Sequence, residues 1–304
     1  MKGRFLMLWT MAILLVLISL ISGCSVVGNK VAVIPLSGPI QRESMGLLFG
    51  GQVITPELVR RQLDRVKKDT MVRAVVLQIE SPGGSVAACQ EILEEIGKLD
   101  RPVVVSMGDV VASGGYYISA RADKIVALPG TLTGSIGVIA EVPNIKGLYD
   151  KLGIEIEVFK EGEHKDMYAG LRELTPEERE LMQAITEQLY NQFIDVVAEG
   201  RNLDRNKVKE LATGQLYTGV QAKSLGLVDE LGGLDAAIAV AAKLAGIQQP
   251  EIVYYRPSAP SLLSSLLGLG GQKLGNWSAI QSLGIEAVVV ERILSNPYPQ
   301  LEYR

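Results

Sequence analysis

RAVVLQIESPGGS, residues 73–85, joins an apolar, β-branched run to a turn made of proline and two glycines. Such a run reads as a buried strand, and the Pro-Gly-Gly that follows must end it. The same order recurs at PVVVSM, 102–107, which leads into VASGGYY at 111–117. A strand-like VAVIPL at 31–36 comes before both, and amphipathic segments 56–68 and 86–98 fill the gaps between these three runs. KIVAL at 124–128 and IEIEVF at 154–159 are further strand-like runs. Strands alternating with helix-length segments predict an α/β fold with largely parallel strands. Folds of this kind keep their chemistry in the turns after strands.

Downstream, Thr175, Pro176 and Glu178 open a long helix as cap, first-turn proline and capping-box partner. Leu181, Ile185, Leu189, Phe193 and Val196 recur at helical spacing, which predicts a stripe packed on the core or on another subunit. Gly200 is the expected end of that helix. Helical segments at 205–212 and 235–245 flank the glycine-punctuated YTGVQAKSLGLVDELGG, 217–233. The expected globular domain is 30–256; from Pro257 the chain turns rich in serine, leucine and glycine, and 257–304 reads as a mobile tail.

The 304 residues are 47% hydrophobic and 21% charged, with a net charge of −4. This is the composition of a globular protein, and without a long basic block it excludes a nucleic-acid partner. The two cysteines, Cys24 and Cys89, do not form a disulfide framework. Residues 1–24 stand apart as a signal or anchor: Lys2 and Arg4 precede the uncharged run FLMLWTMAILLVLISLI, 5–21. Its end, ISGC at 21–24, resembles a bacterial lipobox, with Cys24 as the lipidation candidate. Either the chain is cut before Cys24 and lipidated, or the segment spans the membrane once. Both readings place the rest of the chain on the outer, extracytoplasmic face of the cytoplasmic membrane, because the positive end stays inside. Metabolic fatty-acid labelling separates them: a lipoprotein takes up label and loses it in Cys24→Ala, whereas a spanning anchor carries none.

The glycine turns SPGGS, 81–85, and ASGG, 112–115, each follow a strand. Bare backbone N–H groups at a helix start bind negative charge and can form an oxyanion hole. Neither turn has the spacing of a phosphate loop or a dinucleotide-binding turn. Ser113 in the second turn is a candidate nucleophile and requires a base. His164 is the single histidine, and no GxSxG elbow surrounds any serine. Its neighbour Lys165 offers an amine, which acts as a base where desolvation keeps it neutral. On spacing alone His164 reads as a polar flanking residue, and Lys165 equally as a solvated surface lysine.

SPGGS at 81–85, MGDVVASGGYYISARADKIVALPGTLTGSIGV at 107–138 and GEHKD at 162–166 together resemble the short, single-domain bacterial signal peptide peptidases (SppA type), relatives of Clp protease and the crotonases. The resemblance runs from about residue 31 to 245 and does not cover the tail. It implies a Clp protease/crotonase-like fold of repeated ββα units and a serine-lysine dyad without metal or cofactor. By that likeness Ser113 is the nucleophile, Lys165 the general base and Ser135 the residue that positions the lysine, while Gly84 and Gly114 supply oxyanion-hole amides. It further implies a membrane-associated homo-oligomer, an octamer in the short forms, with sites between subunits, acting on remnant signal peptides and misfolded exported protein. Two other readings fit parts of the pattern. A crotonase-like acyl-CoA enzyme uses similar glycine amides, but CoA substrates are cytosolic; a non-catalytic surface lipoprotein would use the fold as a scaffold.

Overall fold

The computed structural model describes residues 28–43, 52–256 and 301–303. The segment 1–24 with Cys24, and tail residues 257–300, lie outside the described residues. In chain order the first elements are β1 (Lys30–Ser37), α1 (Pro56–Lys68), β2 (Val72–Ser81), β3 (Gly84–Ser85), α2 (Val86–Gly97), β4 (Val103–Ala112) and α3 (Gly114–Ser119). Next come β5 (Lys124–Ala127), β6 (Leu132–Gly134), β7 (Ile139–Ala140), α4 (Lys146–Leu152), α5 (Pro176–Arg201) and α6 (Arg205–Leu211). The last are β8 (Leu216–Thr218), α7 (Gly219–Ser224), β9 (Glu230–Leu231), α8 (Leu234–Leu244), β10 (Glu251–Tyr254) and β11 (Leu301–Tyr303).

The main sheet has the order β10-β1-β2-β4-β5-β9, and all its neighbours are parallel. A parallel sheet is covered on both faces, which explains the unbroken apolar runs of its strands. Val31, Val33, Ala74, Val76 and Val104 point to one face, against Ala237, Ile238, Ala241 and Ala242 of α8. Ala32, Ile34, Val75, Leu77 and Val105 point to the other, where they meet Val59, Leu63 and Val66 of α1, Ile92 of α2 and Phe193 of α5. Each fully buried valine or leucine contributes roughly 1.5–3 kcal/mol, so these two layers carry most of the stability.

The apolar run at 102–107 predicts a short strand, but β4 continues to Ala112. It changes partner on the way: Val104 to Met107 pair with β5, and Val110 to Ala112 pair with β6. Gly108 sits at the change, where a Cβ would come within 2.0 Å of a Glu80 carboxylate oxygen. That carboxylate accepts from the N–H groups of Asp109, at 2.6 Å, and Val110, at 3.0 Å. The extension carries the chain past the sheet edge to Ser113.

α5 runs to Arg201 and is capped by Asn202 in the left-handed conformation, so Gly200 does not end it. Gly200 answers instead to packing, since a Cβ there would lie 2.3 Å from the Ala120 carbonyl oxygen. The predicted apolar stripe divides: Phe193 and Val196 are buried, while Leu181 and Ile185 are exposed. IEIEVF at 154–159 forms no strand, and Ile154, Ile156, Val158 and Phe159 are all exposed, Phe159 to 90%. Its alternation suits a sheet, yet within the described residues no neighbour pairs with it. Among the described residues no helix is long and apolar enough to cross a membrane.

Candidate active site

Ser113 follows the last residue of β4 and precedes α3, with φ 51° and ψ −116°. A side chain in the left-handed region costs on the order of 1–3 kcal/mol and persists only where its surroundings enforce it. Two backbone bonds do so: Ser113 N–H donates to the Gly134 carbonyl at 2.8 Å, and its own carbonyl accepts from Tyr117 N–H at 2.8 Å. The Ser113 hydroxyl is fully buried, and among the described residues its Oγ has no hydrogen-bond partner. Buried polar atoms are nearly always paired, so an orphaned hydroxyl at a strained strand–helix junction calls for an explanation other than folding.

The glycines after Ser113 are required by how closely α3 approaches its neighbours. A Cβ on Gly115 would lie 2.8 Å from the Ser81 carbonyl oxygen, and one on Gly114 would lie 2.6 Å from Cys89 Sγ and 3.1 Å from Gly84 N. The two candidate oxyanion amides, Gly84 and Gly114, are therefore adjacent. Gly84 has φ +150°, and a Cβ on it would meet the Ile40 carbonyl oxygen at 2.0 Å. Ile40 braces the turn from one side, donating to the Gly83 carbonyl at 2.8 Å and accepting from Ser85 N–H at 2.9 Å. Neither bond uses the Gly84 N–H. Ser81 Oγ accepts from Gly83 N–H at 3.2 Å, which closes the turn from within. On the other side β11 pairs antiparallel with β3, Tyr303 opposite Gly84 and Glu302 opposite Ser85, and also with β7.

Ser135 follows β6 as Ser113 follows β4. Ala112 is paired with Gly134, so the two serines leave adjacent strand ends. Ser135 also has a positive φ, 47°, and its N–H donates to the Gln215 carbonyl at 2.8 Å. Ser85 and Ser119 have structural partners: Ser85 caps α2, and Ser119 Oγ donates to the Gly115 carbonyl at 2.7 Å. Cys89 is a buried thiol whose pKa is raised by desolvation.

Lys165 makes no hydrogen bond to Ser113 Oγ. It lies exposed on a tight turn, its N–H donating to the Gly162 carbonyl at 3.2 Å. A charged ladder holds this turn against α5. Arg172 donates to Asp166 at 2.7 and 2.9 Å and to Glu178 at 2.6 and 2.7 Å. Lys160 donates to Asp166 at 2.6 Å, and Thr175 N–H donates to Glu178 at 2.9 Å. Sequence reasoning found Glu178 as a helix cap and missed Asp166 and Arg172. A signal existed: Lys160, Asp166, Arg172 and Glu178 alternate in sign at every sixth residue.

The model of peptidase family S49 matches residues 96–248, a span that contains Ser113, Ser135 and Lys165. A protein of Enterococcus faecium named as a signal peptide peptidase SppA is 36% identical over 270 residues, covering 88% of this chain and 76% of the relative. The chain belongs to peptidase family S49. As a member it is a serine peptidase. The chloroplastic serine protease SPPA of Arabidopsis thaliana is 34% identical over 87% of this chain, and Protease 4 of Salmonella typhi is 36% identical over 79%. The chain spans only 40% and 38% of those two longer relatives.

In this S49 chain the ladder beside Lys165 gives a pH dependence whose sign is fixed. Arg172 first, then the Thr175 N–H, hold the Glu178 carboxyl down at about 2. Arg172 and Lys160 likewise hold Asp166 well below the usual carboxylate range. A carboxylate with a lowered folded-state pKa stabilises above its unfolded value, near 4.3, and loses that contribution as pH falls towards the folded value. The turn 161–170 is therefore expected to loosen between about pH 4.5 and 2. Amide exchange of 161–170 in wild type and Arg172→Gln checks this. Wild type should open only in that window, and the variant should already be open at neutral pH.

Proposed function

We propose that this chain is a membrane-associated serine endopeptidase working with a Ser113–Lys165 dyad on the extracytoplasmic face of the bacterial membrane. The observation that carries the reading is the buried, unpartnered Ser113 hydroxyl at a strained junction beside the Gly84 and Gly114 amides. The amine of Lys165 takes the Ser113 proton as Oγ attacks a peptide carbonyl, and the two amides hold the oxyanion. The lysine, positioned by Ser135, then protonates the leaving amine, and water activated by the same amine releases the acyl group. An oxyanion donor of this kind is worth roughly 100- to 1000-fold in rate.

The pairing of β11 with β3 supports substrate bound as an extended, antiparallel strand alongside Gly84. The name of the Enterococcus faecium relative supports remnant signal peptides as substrates; misfolded exported protein is a second class, which rests on the family resemblance alone. The order of the sheet and the two glycine turns support a Clp protease/crotonase-like arrangement of ββα units. Membrane attachment through residues 1–24 rests on the apolar run and ISGC of the sequence.

Assembly into a homo-oligomer, by resemblance an octamer, supplies what the single chain lacks. The exposed apolar row 154–159 precedes the exposed Lys165, and a neighbouring copy covering both would desolvate the amine. The scaffold reading has no use for an orphaned buried hydroxyl.

Two experiments test the proposal. A fluorophosphonate is expected to label Ser113, and Ser113→Ala and Lys165→Ala should each lower turnover of apolar peptides by roughly 1000-fold or more with the fold intact. Near-normal turnover in either variant refutes the dyad. Phe159→Glu should shift the particle to smaller mass in light scattering and lower turnover with it; a wild type that runs as a monomer refutes the assembly, and an unchanged oligomer with full activity refutes 154–159 as its interface.

A further inference from the structure

Outside the peptidase site, Glu163, His164 and Glu177 each offer one ligand atom, and these atoms lie within 4.8 Å of one another. His164 Nε2 stands 4.0 Å from Glu177 Oε1. That is too long for a hydrogen bond, but an ion about 2.0–2.2 Å from each atom spans it after a small rotation of the exposed Glu177 side chain. The other ring nitrogen, Nδ1, faces Glu178 Oε1 at 3.4 Å, and Glu178 is itself buried and fixed by Arg172 and Thr175. A carboxylate behind one imidazole nitrogen leaves the lone pair of the other turned outward, which is the usual support of a metal-ligating histidine.

We propose that Glu163, His164 and Glu177 form a site for a divalent transition ion of the zinc class. An imidazole with two carboxylates favours such an ion over calcium or magnesium, and three protein ligands leave one position to solvent. The positive end of the α5 dipole opposes a cation here, and the Glu163 and Glu177 carboxylates offset it, Glu178 being already paired with Arg172. The ion ties the turn 161–169 to the first turn of α5, one residue from Lys165, and so restrains the segment that carries the lysine.

Titration of zinc chloride into the full-length protein, stripped with chelator and held in detergent, is expected to show saturable binding of about one ion per chain. Glu177→Gln and His164→Gln should each weaken it at least roughly tenfold. Glu177 is exposed at the surface, so Glu177→Gln should fold normally, and its melting temperature checks this. Zinc should also slow amide exchange of 161–169 in wild type and not in Glu177→Gln. Equal affinity in wild type and both variants, or no saturation up to about 1 mM zinc, overturns the proposal. Ser113→Ala should bind zinc as wild type does, so the site and the peptidase dyad stand or fall separately.

Discussion

The constraint on which the rest depends is the contact between the start of α3 and the turn after β2. At Gly84, Gly114 and Gly115 a Cβ would meet a carbonyl oxygen or a thiol sulfur at 2.0 to 2.8 Å. No side chain fits at any of the three. The absence of side chains lets two strand–turn–helix junctions close on each other, which sets two backbone amides side by side next to Ser113. Proximity of this kind comes from the packing of rigid elements, and so the site inherits the rigidity of the sheet.

The parallel sheet and the two glycine turns were legible in the sequence because each rests on a local rule: β-branched apolar runs for buried strands, and glycine where the backbone must approach closely. Gly200 shows the limit of such rules. It looks like a helix stop and is a packing contact with Ala120, because its reason is three-dimensional. The length of β4 was hidden for the same cause, since the partner change at Gly108 depends on Glu80, a residue of the neighbouring strand. IEIEVF carries the right period for a strand and pairs with nothing within the described residues. Periodicity reports which faces are apolar; it does not report what covers them.

Of the candidate site, Ser113, Gly84, Gly114 and Ser135 come together through register and close packing, whereas Lys165 sits on an exposed turn and makes no hydrogen bond to Ser113 Oγ. Resemblance singled out Lys165, and the ladder of Lys160, Asp166, Arg172 and Glu178 explains how its turn is held. That ladder was the least legible part. Its members lie six residues apart across a turn and a helix start, where no strand or helix runs through all four, and only the folded turn aligns them.

The two tyrosines after Ser113 fasten α3 from both sides. Tyr116 is fully buried, and its hydroxyl donates to the Leu227 carbonyl at 2.9 Å. The Tyr117 ring packs edge-on against Phe193, with centroids 5.1 Å apart. The serine is thus anchored in the cooperative core, while the lysine sits on a turn held by partly exposed ion pairs. Such regions open at different free energies. On the proposed dyad, mild stress that frees the turn removes the lysine while the core is still folded, and the loss reverses as soon as the turn closes again.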